Sequence, residues 1–271
     1  MTEGQELPKA IVMKIGGATF GSHDPIIEDI VELQRQGKLL VVIHGGGNLV
    51  TEWLSKQGIP TRFIRGERVT DRAALEMVTA VLGGLVNKDI VATINCLGGR
   101  AVGISGVDGA LVQSKLRDDE MGYVGTVVKV DTALLEALLD AGFVPIISPL
   151  SLYAVDKPSE APGILNINGD PLAGEIAAAI GAEKLIFLTD VAGILDKSGK
   201  LLNQLSPDEA KALVTSGVAS GGMIPKINAC LRALSNTQTR RVLSTCIIDG
   251  TQPHALLKEI TGSGSGTVIR A

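Results

Sequence analysis

The chain has 271 residues, 45% of them hydrophobic, 20% charged and only 3% aromatic, with a formal net charge of −4. That length buries a sizeable aliphatic core, as one large domain or two lobes, in a chain of ordinary globular composition. The acidic balance argues against nucleic acid as a partner, no apolar run reaches the roughly 18 residues of a membrane span, and the acidic leader over residues 1–8 lacks the apolar core of a signal peptide, so a cytoplasmic protein with no membrane partner is expected.

Short apolar runs alternate with helical stretches along the chain. The first run, 10–15, is a strand that carries Lys14 and ends at Gly16-Gly17. A helix is expected over 24–36, with Asp24 as its cap, Pro25 in the first turn and Gly37 as its stop. The run 39–44 is a second strand, followed by Gly45-Gly46-Gly47 and a helix from Asn48. A buried strand that ends in consecutive glycines before a helix is an anion site. The glycines admit a ligand close to backbone N–H groups, and the helix N-terminus adds partial positive charge. Since Gly16-Gly17 repeats the idea, a phosphate held between two loops is expected.

Residues 71–97 read as one long helix stopped by Gly98-Gly99. Further strands are expected over 101–105, 144–148, 184–189 and 242–248, and helices over 131–140 and 170–180. The last takes Asp170 as cap and Gly181 as its end. Most strand runs are continuously aliphatic, as parallel strands covered on both faces must be, so the chain is α/β with a mainly parallel sheet. Residues 111–130, polar and β-branched and broken by Gly122 and Gly125, read as an antiparallel hairpin over the mouth of a site. Residues 157–163 form an exposed loop, and 262–266 a turn before a last short strand, 267–269.

A Walker-type loop and a Gly-x-Gly-x-x-Gly turn are both absent. Three histidines and three cysteines never fall at zinc-ligand spacing, so no metal site is expected. Cys96, Cys230 and Cys246 read as reduced, mostly buried thiols. His44, alone at a strand end, reads as a hydrogen-bonded structural group rather than a catalytic base. Lys14 interrupts an apolar strand, where a lysine is seldom buried unpaired; it either reaches solvent or points at a bound anion. Lys226 follows Gly221-Gly222-Met223-Ile224-Pro225, where a loop enters a helix over 227–234. A cation there opposes the helix dipole unless an anion is present. In Asn166-Ile167-Asn168-Gly169-Asp170 the two asparagines share one side of a short strand. Asp170 either caps a helix or fixes two lysines and keeps them charged. Arg68, just before the long helix, either suits bidentate capture of a substrate carboxylate or makes a surface salt bridge.

Eight segments in order resemble the amino-acid kinase family, and within it the branch that phosphorylates N-acetyl-L-glutamate. They are Lys14-Ile15-Gly16-Gly17-Ala18, Ile43-His44-Gly45-Gly46-Gly47-Asn48, Arg68-Val69-Thr70-Asp71, Val86-Asn87-Lys88, Gly103-Ile104-Ser105-Gly106-Val107-Asp108-Gly109, Asn166-Ile167-Asn168-Gly169-Asp170, Leu188-Thr189-Asp190-Val191-Ala192-Gly193-Ile194 and Gly221-Gly222-Met223-Ile224-Pro225-Lys226. Any one is weak alone; the ordered set, from about residue 10 to the end, is specific.

The resemblance implies a three-layer αβα sandwich in two lobes, 1–180 binding the acyl amino acid and 181–271 binding ATP. It implies that Lys14 and Lys226 stabilise the transferred phosphoryl group and that Asp170 organises them. By the same resemblance Gly16, Gly17 and the Gly45-Gly46 pair offer donors to phosphate, while Arg68, Asn166 and Asn168 hold the amino-acid substrate. Thr189, Asp190, Gly222 and Met223 fall where the family holds the nucleotide. The implied reaction is ATP-dependent phosphorylation of the N-acetyl-L-glutamate side-chain carboxylate, in arginine and ornithine biosynthesis, with Mg²⁺ carried mainly by the nucleotide. A sister kinase acting on a carrier-linked aminoadipate or glutamate, and a non-catalytic amino-acid or nucleotide sensor, are the competing readings.

Two positions depart from the family pattern: Gly169, commonly alanine, and Glu67, usually apolar. About nine residues precede the first strand, whereas arginine-inhibited hexameric members carry an extra N-terminal helix; the segment from Pro253 to Thr261 nonetheless resembles the arginine-responsive type. A homodimer through the long helix, with weak or absent arginine feedback, is expected, and a signalling-protein partner stays open.

Overall fold

The computed structural model describes residues 9–16, 25–235 and 242–270. The leader 1–8, Gly17 and the expected cap Asp24 lie outside the described residues. The chain runs β1 (Ile11–Ile15), α1 (Pro25–Arg35), β2 (Leu40–His44), α2 (Gly47–Lys56), β3 (Phe63–Ile64), β4 (Glu67–Arg68), α3 (Arg72–Val78) and α4 (Asn87–Cys96). It continues through β5 (Ala101–Gly106), β6 (Val112–Leu116), β7 (Gly125–Val130), α5 (Ala133–Asp140), β8 (Val144–Tyr153), β9 (Ile164–Asn166) and α6 (Gly169–Ile180). The final part is β10 (Lys184–Thr189), β11 (Gln204–Leu205), α7 (Pro207–Thr215), α8 (Met223–Leu234), β12 (Ser244–Asp249), α9 (Ala255–Ile260) and β13 (Thr267–Ile269).

All strands but β3 and β4 join one sheet, in which β1 lies between β2 and β10. The pairings β1–β2, β1–β10, β10–β12, β2–β8 and β5–β8 are parallel; β6–β7, β8–β9 and β12–β13 are antiparallel. Two apolar cores flank the sheet. One packs Val12, Val41 and Phe187 against Leu172, Ile176 and Ile227 of α6 and α8. The other packs Ile11, Met13 and Ile15 against Ile27 and Ile30 of α1 and Ile90 and Ile94 of α4. The architecture is the expected αβα sandwich with a mainly parallel sheet.

Strand alternation decides which layer each side chain meets. In β1, Ile11, Met13 and Ile15 enter one core and Val12 the other, so Lys14, two residues after Val12, points toward α6 and α8. Those two helices cross closely because Gly174 meets Ala229 there: a Cβ on Gly174 would sit 2.7 Å from the Ala229 carbonyl oxygen.

Several elements differ from expectation. The 111–130 hairpin forms as β6 and β7, but β6 pairs with β8, so it extends the main sheet instead of standing apart. Helix α6 begins at Gly169 with Asn168 as its cap: the Asn168 side chain accepts from the Asp170 N–H at 3.0 Å. Asp170 is therefore not the cap, and its carboxylate is left for other partners. Helix α8 starts at Met223, four residues earlier than expected, which brings Lys226 inside the helix.

The long helix is capped by Asp71, which accepts from the Ala74 N–H at 2.8 Å. Between α3 and α4 it widens into π turns over Thr79–Val86. As a whole, Arg72–Cys96 is long and apolar enough to cross a membrane by length and composition, which sequence inspection missed. Val78, Val81, Leu82, Ile90 and Ile94 are buried inside the molecule, and that packing accounts for its hydropathy. Cys230 and Cys246 are buried and Cys96 is exposed.

Candidate functional site

The parallel strands β1, β2 and β10 end along one edge of the sheet, where open α/β proteins place their ligands. There the Gly45 N–H donates to the Ile15 carbonyl at 2.9 Å and the Gly16 N–H to the Leu188 carbonyl at 3.2 Å. The three strand ends are thus tied side by side. Both glycines spend their own N–H groups on this task. Gly46, at φ 136, turns the chain into α2, whose first N–H groups lack intrahelical acceptors. A Cβ on Gly46 would lie 2.7 Å from Leu82 of the π stretch, so only glycine fits the turn.

At this edge Asp170 stands between two lysines. Its Oδ1 lies 2.8 Å from Lys14 Nζ and its Oδ2 lies 3.0 Å from Lys226 Nζ. The Lys226 contact is a hydrogen bond; the Lys14 approach is a charge contact without hydrogen-bond alignment. All three side chains are largely buried, at 7% exposure for Asp170, 12% for Lys14 and 15% for Lys226. Burial alone would push the Asp170 carboxyl up, but the Lys14 and Lys226 ammonium groups outweigh it and hold the pKa below the usual carboxylate range. The cluster is a carboxylate flanked by two cations, with a net charge of one positive.

Beside it opens a cavity of about 220 Å³, lined by Gly45, Gly46, Gly47, Arg68, Asn166, Asn168 and Gly169 among others. This is smaller than a drug-sized pocket and suits an amino-acid-sized ligand. Arg68 is 9% exposed. Its Nη2 donates to the Gly47 carbonyl and to Thr51 Oγ1, both at 2.8 Å, and its guanidinium stacks on Phe63. Its Nη1 is buried with no hydrogen-bond partner. A surface salt bridge is therefore excluded for Arg68, and an unpaired buried donor on a cavity wall is suited to an anionic ligand. Asn166 donates to Thr70 Oγ1 at 3.0 Å, so the two asparagines share the cavity, as strand alternation requires.

His44 is fully buried. Its Nδ1 lies 2.8 Å from the Gly45 carbonyl and its Nε2 3.3 Å from Asn87 Nδ2. Burial drives its pKa down to about 4, against the Gly45 hydrogen bond and with help from Lys14 and Lys88. The ring is neutral near pH 7, donating from Nδ1 and accepting at Nε2. Asn87 also donates to the Ile146 carbonyl at 2.8 Å, linking the long helix to the glycine turn. The structural reading of His44 stands. Asn87 lies in one of the eight ordered segments, but nothing in Val86-Asn87-Lys88 marks it as buried.

Besides the lysine–aspartate cluster and Gly16, the expected nucleotide residues also sit outside this cavity. Thr189 and Asp190 follow β10 and share a hydrogen bond of 3.1 Å; by the β1–β10 register they adjoin Gly16. Gly222 and Met223 open α8, one turn before Lys226. Gly17 lies outside the described residues. Gly169, the small residue flagged in sequence, has room for a methyl: a Cβ there would meet Lys14 Cε at 3.4 Å and other atoms farther away. Glu67 lines the cavity and pairs with Arg117.

Comparison with known proteins bears on the fold and the family. A protein from Dehalococcoides mccartyi (strain CBDB1), described as acetylglutamate kinase, is 49% identical over 259 residues, covering 96% of this chain and 93% of that one. A crystal structure from Streptococcus mutans UA159 superposes with a TM-score of 0.79 at 28% identity, covering 98% of this chain and 100% of the other. N-acetylglutamate synthase from Neisseria gonorrhoeae, solved with coenzyme A and N-acetyl-glutamate, gives a TM-score of 0.80 at 27% identity over 97% of this chain and 60% of its own. The model of the amino acid kinase family matches residues 9–244. With the family model matched over most of its length and a relative 49% identical, the chain belongs to the amino acid kinase family.

Proposed function

We propose that this chain catalyses ATP-dependent phosphorylation of the side-chain carboxylate of N-acetyl-L-glutamate, giving N-acetyl-L-glutamyl 5-phosphate and ADP, the second step of arginine and ornithine biosynthesis by the acetylated route. One observation carries the reading: a buried Lys14–Asp170–Lys226 cluster beside an amino-acid-sized cavity whose wall holds the unpaired Arg68 Nη1. The name of the 49%-identical relative supports the same substrate.

The chemistry follows from charge. The acceptor carboxylate, with a reference pKa of about 4.3, is already ionised at neutral pH and needs no base. A neutral, enclosed His44 is consistent with that. The obstacle is bringing one anion against another, so positioning and electrostatic stabilisation supply the catalysis. Lys14 and Lys226 face the phosphoryl group in transit, one from the sheet and one from α8. Asp170 holds them in place, at 2.8 and 3.0 Å. Gly46 and the first residues of α2 offer neutral donors, while Gly45 and Gly16 hold the strand ends in place. Arg68, with Asn166 and Asn168, grips the substrate's α-carboxylate.

The family implies ATP use, normally with Mg²⁺. Thr189, Asp190, Gly222 and Met223, with Gly16 and Gly17, form the nucleotide side of the site. Among the described residues no group of three or more His, Cys, Asp or Glu stands together, and Asp170 is occupied by its lysines. The ion would be carried mainly by the nucleotide phosphates, whose charge it would offset. Residues 1–180 serve as the amino-acid lobe and 181–271 as the nucleotide lobe. The chain works in the cytoplasm as a homodimer built on the long helix.

The test is ADP release with N-acetylglutamate, free glutamate, aspartate and carbamate, trapping acyl phosphate with hydroxylamine. Turnover and a hydroxamate with N-acetylglutamate are expected. Turnover with another acceptor only would replace the substrate, and none with any acceptor would favour a sensor.

A further inference from the structure

We propose that Glu67 and Arg117 are a positioning pair that sets the affinity of the cavity for a dianionic amino-acid substrate; this rests on the acyl-amino-acid reading above and deepens it. Glu67 and Arg68 are consecutive residues of β4, in a hairpin with β3. Its turn residues, Arg65 at φ 52 and Gly66 at φ 80, are both left-handed, as a tight two-residue hairpin turn requires. Whatever holds Glu67 therefore holds the backbone that carries Arg68.

Glu67 lines the cavity, and its Oε2 meets Arg117 Nη1 at 2.5 Å. The two side chains are 25% and 29% exposed, so the pair is shielded more than a free surface bridge. Arg117 is itself anchored: its N–H donates to the carbonyl of Val124, another lining residue, at 3.0 Å. Further ties join the same two segments. Arg62 Nη2 donates to the Glu120 carbonyl at 3.0 Å and the Thr70 N–H to the Met121 carbonyl at 2.9 Å. The hairpin should thus survive loss of the ion pair.

The charges make the two partners unequal. Glu67 puts a negative charge on the wall of a site that must admit two carboxylates, and Arg117 neutralises it. Removing Glu67 costs only the alignment of Arg68. Removing Arg117 also leaves an unneutralised carboxylate beside the cavity, repulsive to an anionic substrate. A purely structural bridge would show no such asymmetry.

The experiment measures kcat and KM for N-acetylglutamate in the wild-type enzyme, Glu67→Gln, Arg117→Gln and the double variant, at 0.05 and 0.5 M salt, with thermal midpoints as a folding control. KM should rise about threefold in Glu67→Gln and about tenfold or more in Arg117→Gln, by the size of a nearby like-charge interaction. The excess in Arg117→Gln should shrink at high salt, because screening weakens it. The double variant should return to the Glu67→Gln value, and the effect should fall on KM rather than kcat. Equal, salt-independent KM values in the two single variants would overturn the pair while leaving the kinase reading intact. Failure of the wild-type enzyme to phosphorylate N-acetylglutamate would remove both.

Discussion

Asp170 bridges two lysines because each of its oxygens faces a different one, one from the sheet and one from a helix. Lys226→Ala should lower kcat on the order of 10²–10³-fold, the usual cost of losing a preorganised transition-state donor, with a far smaller rise in KM for the amino acid. Steady-state kinetics checks this, and a change confined to KM would show that the lysine serves only ground-state binding. His44 makes a separate prediction about stability. Its native pKa of about 4 lies below the unfolded value of 6.5, so the unfolded chain binds the extra proton first. The stability from keeping it neutral is intact above pH 6.5 and is lost as pH falls toward 4. Linkage puts the loss at about 2 kcal/mol by pH 5. Urea unfolding at pH 7 and pH 5 should show it, and His44→Gln should flatten that slope. Asp170, whose pKa is depressed, titrates at lower pH still: its contribution persists above the ordinary carboxylate value and disappears as pH drops through the native one.

At the scale of elements, α6 carries two glycines with opposite demands. Gly174 sits where α6 crosses α8, and an added Cβ would press on Ala229 backbone. Gly174→Ala should cost about 1–3 kcal/mol through overpacking. It should also lower kcat, because parting the helices stretches the Asp170–Lys226 contact one turn away. Gly169 is the first residue of the same helix and has room. Gly169→Ala should stabilise the protein by about 0.5–1 kcal/mol, since alanine loses less entropy in a helix, with turnover retained. Denaturant midpoints and kcat for the two variants decide the point; equal destabilisation would refute the packing argument. The π turns of the long helix belong to this scale as well. They seat Leu82 beneath Gly46 and end at Asn87, which reaches His44, so one irregular stretch supports the glycine turn from below.

For the whole molecule, the sheet is continuous: β10 of the C-terminal part pairs with β1 of the N-terminal part along five residues. Lys14 stands on the strand between these parts, with β2 on one flank and β10 on the other. The proposed dimer lies at this scale too. Leu85 is 46% exposed on the long helix, and a charge there should oppose association. Sedimentation of the wild-type protein should give a dimer, and Leu85→Glu should shift it toward monomer at low concentration. A stable wild-type hexamer would exclude the dimer, and an unchanged Leu85→Glu dimer would move the interface elsewhere.

The main aliphatic strands, their order along the chain and the glycine turns were legible in sequence, because aliphatic runs, caps and glycines act through near neighbours. Lys14 stood out for the same local reason, a charge inside an apolar strand. Other features depended on partners far away in the chain. Asn168, not Asp170, caps α6, and only the position of two lysines at residues 14 and 226 shows why the carboxylate is left free. Gly174 looked like any small helical residue until α8 was laid across it. The π turns, the burial of Asn87 and the pairing of Glu67 with Arg117, 50 residues on, leave no periodic trace. Sequence by itself determined the parallel α/β frame and the chemistry its strand ends can host, since those follow from short-range pattern. The tertiary structure alone decided which charges meet and which stay unpaired, because electrostatics and burial depend on distance in space.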